Sequence, residues 1–444
     1  MVAMSESASK PLRKNRDFRL LWSGTAASIT GSNVSDFAYP ILVLWATGSA
    51  SAAGLVAFAV RLPDLLVQLP AGAWVDRFDR RRAMLLCDAG RLAVVLGVIA
   101  ILVAGHIWAP ALAALGFAEG CMTVVYRTAE RAAVPAIVDP DQIGAAVSQN
   151  EAREQAAALV GGPLAGVLVT IGRPVAFVFT AVTHAISVLT LMRIRRPMQR
   201  PVAEGSPVVA ANLLREVGEG VRWMWEQAFI RRAVMLIAVS NGLFAVITLA
   251  VTVQLHNDHH SQYVVGLVAA SAGIGGVLGA LSAQAVGGRL PLPAVVIVSN
   301  LLWAVLLPVL AVAHNPVEIG FLYAGMSMIG AGWSVCVTIY GMQIVPAAME
   351  GRIASVAMMV ALGLIPFGSL VGGFLLDHVN PDRLFVDAGI AMAALSLIAA
   401  ASRVVRSAKW PTFDDPGPAA SDDPSDAEPV PSVAAVLTVA EGAR

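Results

Sequence analysis

Two carboxylates stand inside long apolar stretches: Asp36 in "TGSNVSDFAYP" and Glu119 in "GFAEGC". A carboxyl group at such a place can take up and release a proton as the chain around it changes shape. Asn33 and Asp36, three apart, share one helix face. Asp36 carries a proton or bonds a neighbouring helix, and its residue type leaves both readings open. Glu119 is flanked by Gly116 and Gly120, a small-xxx-small packing pair, and faces a cavity or an arginine. Arg61 and Asp64 also share a face and are expected to pair. Asn241, Trp333, Tyr340 and Gln343 add polar or amphipathic groups to later apolar runs, where they could line a cavity.

Other chemistries find no support. "HNDHH" at 256–260 could hold a metal but sits between two apolar runs, so no metal site is expected. "GIGGVLG" at 273–279 imitates a dinucleotide loop, yet no strand precedes it. There is no G-x-x-x-x-G-K-[ST] sequence, so ATP hydrolysis is not expected. Cys87, Cys121 and Cys336 are scattered without a CxxC pair and read as small buried hydrophobes. No nucleophile–base set that would make an enzyme stands out, and no cofactor is implied. A formal net charge of zero argues against nucleic acid as a partner.

What must position these groups is a membrane fold. The chain is 57% hydrophobic and 14% charged, against about 45–50% and about 25% in soluble proteins. Segments long enough to cross hydrocarbon, about 20 residues each, lie near 20–46, 52–75, 82–104, 108–127, 145–171 and 174–193. A second set lies near 231–255, 262–286, 292–313, 316–340, 352–376 and 384–404. The expected fold is all-α and integral to the membrane, with twelve transmembrane helices. The basic start, with Lys10, Arg13, Lys14, Arg16 and Arg19, leads into the first span and not into a cleaved signal. Of 30 Lys and Arg, only Arg173 and Arg383 fall in loops after odd-numbered spans, and Arg61, Arg91 and Arg153 fall within spans. The remaining 25 lie in the termini, in the loops after even-numbered spans or at the span ends beside those loops, which makes both termini cytoplasmic.

The expected organisation is a cytoplasmic N-terminus (1–19), a six-helix half (20–193), a cytoplasmic linker (194–230), a second half (231–404) and a tail (405–444). The linker holds "LLREVGEGVRWMWE", an amphipathic pattern suited to the inner membrane face. The tail, acidic and Pro-rich, reads as disordered. The halves repeat each other. "GLVA" recurs at 54–57 and 266–269, with Arg77 matching Arg289 at the same offset of 212. "VPA" (134–136, 345–347) and "VGG" (160–162, 371–373) recur at an offset of 211. Spans six apart are thereby matched, which gives two parallel repeats with a site between them near mid-membrane.

"GAWVDRFDRRRAML", residues 72–85, sets four arginines and two aspartates between spans 2 and 3. It resembles motif A of the major facilitator superfamily, G-x-x-x-D-R-x-G-R-R/K, with Gly72, Asp76, Arg77, Arg80 and Arg81 at matching positions. Asp79 stands where Gly is usual, as it does in the branch of enterobactin exporters and macrolide efflux proteins. "LRKNRDFRLLWSG", "NEAREQAAALVGGPLAG" and "VPAAMEGRIASV" resemble the same branch, and the likeness covers about residues 12–405. Gly162, Pro163 and Gly166 resemble part of the antiporter-associated motif C, without its upstream glycines.

The resemblance implies a secondary active transporter in the cell membrane that works by alternating access. Gly72 would let spans 2 and 11 approach on the cytoplasmic side, and Asp76 would meet the span 11 N-terminus near Gly351 to Ser355 as a gate latch. Asp88 and Arg91, with Glu151, Arg153 and Glu154, would form ion pairs beside that gate. Asp36 and Glu119 become candidates for carrying coupled protons, and Asn33, Asn241, Trp333, Tyr340 and Gln343 for lining the substrate cavity. The expected activity is proton-coupled efflux of a drug-like, siderophore or natural-product small molecule by a monomer in the lipid bilayer. An importer of the same superfamily is the alternative, and a membrane-embedded enzyme or a sensor the rival of another class.

Overall fold

The computed structural model describes residues 12–194, 196, 198–199, 218–219, 221–287, 291–345 and 350–407. The expected disordered tail after residue 407 and most of the linker lie outside them. Of the amphipathic stretch, residues 218–219 and 221–226 are described and are helical.

Among the described residues the fold is all-helical. The first half comprises α1 (Arg16–Thr47), α2 (Ala50–Leu66), α3 (Gln68–Arg77), α4 (Arg80–Val103), α5 (Ala109–Ile137), α6 (Ile143–Ile171) and α7 (Val175–Arg193). The second comprises α8 (Ala228–Asn257), α9 (Gln262–Gly287), α10 (Leu292–Leu310) and α11 (Pro316–Ile344), then α12 (Glu350–Gly363), α13 (Ile365–Leu376) and α14 (Pro381–Ala401). Among the described residues ten helical segments are long and apolar enough to cross a membrane, with α12 and α13 together counted as one. α1 and the α2–α3 pair run beside them against α7 and α5. Serines, threonines, Asn33 and Asp36 dilute the apolar character of α1, and α2 has only 17 residues.

Two expected spans are interrupted, each by a proline. Pro70 has no N–H to offer the Leu66 carbonyl and its ring crowds that oxygen, so the helix restarts after Val67. Pro366 acts in the same way beyond Leu362, where α12 gives way to α13 at Leu364. Caps set the helix starts. Asn15 accepts from Phe18 N at 3.1 Å and donates to the Ile137 carbonyl at 2.9 Å, which pins α1 to the end of α5. Asp79 caps α4 by accepting from Arg82 N at 2.8 Å.

The halves meet through α2 on α13 and through α6 on α9. The glycines matched by the sequence repeat carry both contacts. A Cβ at Gly54 would lie 2.8 Å from Gly373 Cα, and one at Gly266 would lie 3.0 Å from the Gly162 carbonyl oxygen. Gly54 repeats as Gly266, and Gly162 as Gly373, so one contact is the symmetry mate of the other. These contacts lie toward the end of the bundle opposite the arginine-rich one, called here the far end and the basic end. At the far end Asp377, just past α13, accepts hydrogen bonds from Ala50 N (2.8 Å), Ser51 N (3.2 Å), Ser49 Oγ (3.3 Å) and Ser51 Oγ. Trp45 and His256 also meet there edge to face, with centroids 4.6 Å apart.

Candidate functional site

Inside the first half, α1, α4, α5 and α7 bury a polar cluster. Asp88 and Arg91, three apart on α4, pair with both side chains at 0% exposure. Ser28 of α1 donates to Asp88 Oδ1 at 3.0 Å and accepts from Arg91 Nη2 at 2.9 Å. Arg91 also donates to Ser32 Oγ at 3.2 Å and lies 4.4 Å over the ring of Tyr126, a cation–π contact. Tyr126 hydroxyl bonds Thr25 and Ser187, each at 3.1 Å. Glu119 of α5 accepts from Ser35 Oγ at 2.7 Å and from Tyr39 hydroxyl at 2.9 Å. His184 of α7, fully buried, lies between the carboxylates. Its Nδ1 is 3.2 Å from Ser28 Oγ and its Nε2 is 3.8 Å from Glu119 Oε1.

Asp36 is placed elsewhere. At the edge of the α1 face that holds this cluster, it meets Arg61 of α2 at 3.4 Å, with 24% of its side chain exposed. Arg61 reaches Asp64 at 4.0 Å, so the expected Arg61–Asp64 pair is a triad with Asp36.

Beside α1 opens a cavity of about 390 Å³, walled by Phe37 of α1 and by α8 to α11. Phe244, Trp303, Tyr323 and Trp333 line it with Ser240, Asn241, Thr248, Ser327 and Ser334, and none of its lining residues is charged. Trp303 packs against Phe244 (centroids 4.8 Å apart) and Trp333 (5.5 Å). Asn241 and Trp333 are thus on the cavity wall, although Asn241 Nδ2 donates to the Ala361 carbonyl at 2.9 Å. Asn33 instead packs on Gly161 of α6. Tyr340 packs edge to face on Phe229, with centroids 4.8 Å apart. The side chain of Gln343 lies outside the described residues.

At the basic end the motif A arginines bind helix ends. Arg80 Nη1 donates to the Ala132 carbonyl at 2.9 Å near the end of α5. Arg81 donates to the Leu191 and Met192 carbonyls at 3.0 and 2.7 Å, closing α7. Both interactions place a cation at a helix C-terminus, where the dipole favours it. Arg77 is exposed, and among the described residues nothing lies within 4 Å of where a Gly72 Cβ would be. The side chains of Asp76 and Ser355, and the surroundings of Gly351, lie outside the described residues. Arg153 pairs with Glu130, each 2% exposed, and Glu154 with Arg127 and Arg131, both at 3.2 Å. Glu151 accepts from Gln155 on the surface. Asp88 and Arg91 do not join these pairs. They sit more than two turns into α4, so the reading of them as shallow gate residues gives way to a sealed pair. Gly162 and Gly166 of the motif C segment lie at the α6–α9 contact, with Pro163 between them.

The charge-in-a-span rule finds Glu119, Asp88 and Arg91, but not His184, which sits in "VTHAIS" without a charged neighbour in sequence. Glu130 was missed as well. Its signal was available in "RTAERA", where the acid lies next to Arg131 and three from Arg127.

Comparison with known proteins adds the family. The family described as transmembrane secretion effector matches residues 6–442. The multidrug efflux pump Tap of Mycobacterium tuberculosis (strain ATCC 25618 / H37Rv) is 26% identical over 396 residues, covering 86% of this chain and 92% of that protein. Tap of Mycolicibacterium fortuitum is 27% identical over 384 residues, covering 83% and 91%. Among solved structures, a bacterial homologue of the lysosomal transporter Spinster, inward-facing and unoccupied, superposes with a TM-score of 0.66 at 14% identity, covering 91% of this chain and 99% of that one. A bacterial homologue of the iron transporter ferroportin, inward-facing, gives 0.65 at 16% identity, covering 88% and 100%. With its helical halves, its repeated glycine contacts and a family match along nearly its whole length, the chain belongs to the transmembrane secretion effector family of the major facilitator superfamily and is a multi-pass membrane transporter.

Proposed function

We propose that this protein exports an amphiphilic, largely aromatic small molecule from the cell in exchange for protons, as a monomer in the cell membrane. One observation carries the reading: an uncharged aromatic cavity of about 390 Å³ adjoins a helix whose other face enters a sealed carboxylate cluster. The cavity suits a flat apolar ligand with a few hydrogen-bonding groups. The relatives named as multidrug efflux pumps support export. The arginine distribution supports cytoplasmic termini, which makes the basic end cytoplasmic. The far-end contacts then close the outer side, and the cavity is reached from the cytoplasm.

In this scheme a substrate enters from the inner side, Asp36 or Glu119 takes a proton from outside after the halves rock, and its release inside resets the cycle. One proton moving inward gains about 2.3 kcal/mol per 100 mV, apart from any pH gradient. The test is proteoliposomes with ethidium as the aromatic probe, with and without an imposed pH gradient. Gradient-driven accumulation that collapses with a protonophore supports the reading. Transport indifferent to both the gradient and the protonophore overturns proton coupling, and no transport of any aromatic dye overturns the substrate class.

A further inference from the structure

We propose that the proton of the sealed cluster is shared between Glu119 and His184, so that these two residues are one proton-binding site. The inference rests on the proton-coupled reading for its use in transport, but not for its existence.

Hydrogen-bond direction fixes the histidine. Ser28 has one hydroxyl hydrogen, and it goes to Asp88 Oδ1 at 3.0 Å. The contact between Ser28 Oγ and His184 Nδ1 at 3.2 Å therefore needs its hydrogen on Nδ1. In the neutral ring that leaves Nε2 as a bare acceptor. It is buried, has no hydrogen-bond partner among the described residues, and lies 3.8 Å from Glu119 Oε1. Glu119 in turn accepts from Ser35 and Tyr39, so both its oxygens point lone pairs into the cluster. Two acceptors facing each other in a sealed space repel unless a proton lies between them.

Charge counting gives the same answer. The groups facing His184 are Asp88 and Arg91 on α4 and Glu119 and Tyr126 on α5, while α1 presents hydroxyls. Asp88 and Arg91 cancel. Glu119 with a neutral imidazole leaves one uncompensated negative charge among side chains of 0–4% exposure. One added proton neutralises the cluster, whether it sits on Glu119 Oε1 or on His184 Nε2. Transfer between them is balanced: a carboxylic acid and an imidazole become a carboxylate and an imidazolium, and a small ring rotation brings the two atoms into contact. The imidazolium Nδ1–H then points toward Ser28, with Asp88 Oδ1 3.7 Å away.

The experiment uses the full chain in lipid nanodiscs, with the carboxylic-acid carbonyl followed by infrared difference spectroscopy and ¹⁵N-histidine shifts by NMR across a pH titration. In the wild type the Glu119 carboxyl band and the His184 signal are expected to titrate together. Glu119→Gln should remove the carboxyl band and leave His184 neutral across the accessible range, because Asp88 and Arg91 already cancel. His184→Gln should keep the band but move its midpoint by about one pH unit or more, as coupled sites require. Asp36→Asn should leave the two signals titrating together, whatever common shift the lost charge gives them. Independent titration, seen as a His184 curve unchanged by Glu119→Gln or a Glu119 midpoint unchanged by His184→Gln, would overturn the shared site. Should a variant fail to fold, Glu119→Met and His184→Asn provide the same comparison. Failure of proton-driven transport with joint titration intact would defeat the proposed function and leave this inference standing.

Discussion

A buried charge is judged by what its partner leaves behind. Glu130 and Arg153 are each 2% exposed and lie 3.3 Å apart between α5 and α6, with Asn150 donating to the same carboxylate oxygen at 3.1 Å. Arg153→Met strands Glu130 in a dry contact, which costs about 3–5 kcal/mol when one partner of a buried pair is removed. A clear fall in Tm of the purified protein is expected. The double variant Arg153→Met, Glu130→Gln should recover most of it, because the stranded charge is gone. Failure of the double variant to recover would show that the arginine acts through packing alone. Asp36 is a different case, half-open beside Arg61. If it carries the coupled proton, Asp36→Asn should still exchange ethidium down its concentration gradient but not accumulate it when an imposed pH gradient is the driving force. Intact uphill transport by that variant leaves Glu119 as the carrier. The asymmetry in what was legible follows the same physics. A carboxylate or guanidinium in an apolar run stands out because it is expensive there. A histidine does not, since a neutral imidazole fits a helix interior, and only the approach of α1, α4 and α5 reveals what His184 touches.

Helices show where sequence pattern ends and packing begins. The glycine repeat and the apolar runs were legible, because a close helix approach needs a missing side chain and a crossing needs length. The breaks after Val67 and at Leu364 were signalled by Pro70 and Pro366 but hidden by the continuity of the apolar run, since hydropathy is blind to a missing N–H. The Asp377 latch had no signal, because its partners on α2 lie more than 300 residues away. Partial burial pushes that carboxyl up, but the hydrogen bonds from Ser51, Ala50 and Ser49 outweigh it and hold it below the ordinary carboxylate range. A lowered carboxyl value stabilises the bonded state above the ordinary range, and the contribution is lost only as pH falls through the lowered value. The latch therefore holds across physiological pH, and mutation is what loosens it. Asp377→Asn should weaken far-end closure by on the order of 1 kcal/mol, a figure reduced because the carboxylate is largely exposed. Spin labels placed at residues 106 and 314 would register this as a broader distance distribution at near-neutral pH. An unchanged distribution would make Asp377 a cap for α2 and nothing more.

For the whole molecule, alternating access requires that the two ends close in turn, and two glycines let each closure be opposed separately. At the far end Gly54 is in backbone contact with α13: a Cβ would lie 2.6 Å from the Ser369 carbonyl oxygen and 2.8 Å from Gly373 Cα. Both are backbone atoms, so they cannot swing aside, and Gly54→Leu must force α2 and α13 apart. At the basic end nothing described comes within 4 Å of a Cβ at Gly72, so Gly72→Leu is accommodated in the conformation seen here. If the basic end closes by bringing α3 against the start of α12, the added side chain obstructs the other conformation instead. The two substitutions should then shift one equilibrium in opposite directions: Gly54→Leu away from the basic-end-open state, Gly72→Leu toward it. Each should abolish net transport, because a carrier held in either state cannot complete a cycle. The measurement is a pair of interspin distances per variant, one across each end, with one widening as the other narrows. Combining both substitutions should give intermediate distances without restoring transport, since neither obstruction is relieved by the other. If Gly72→Leu leaves both distances and transport unchanged, α3 does not take part in closing the basic end, and Arg80 and Arg81 act only by holding α5 and α7.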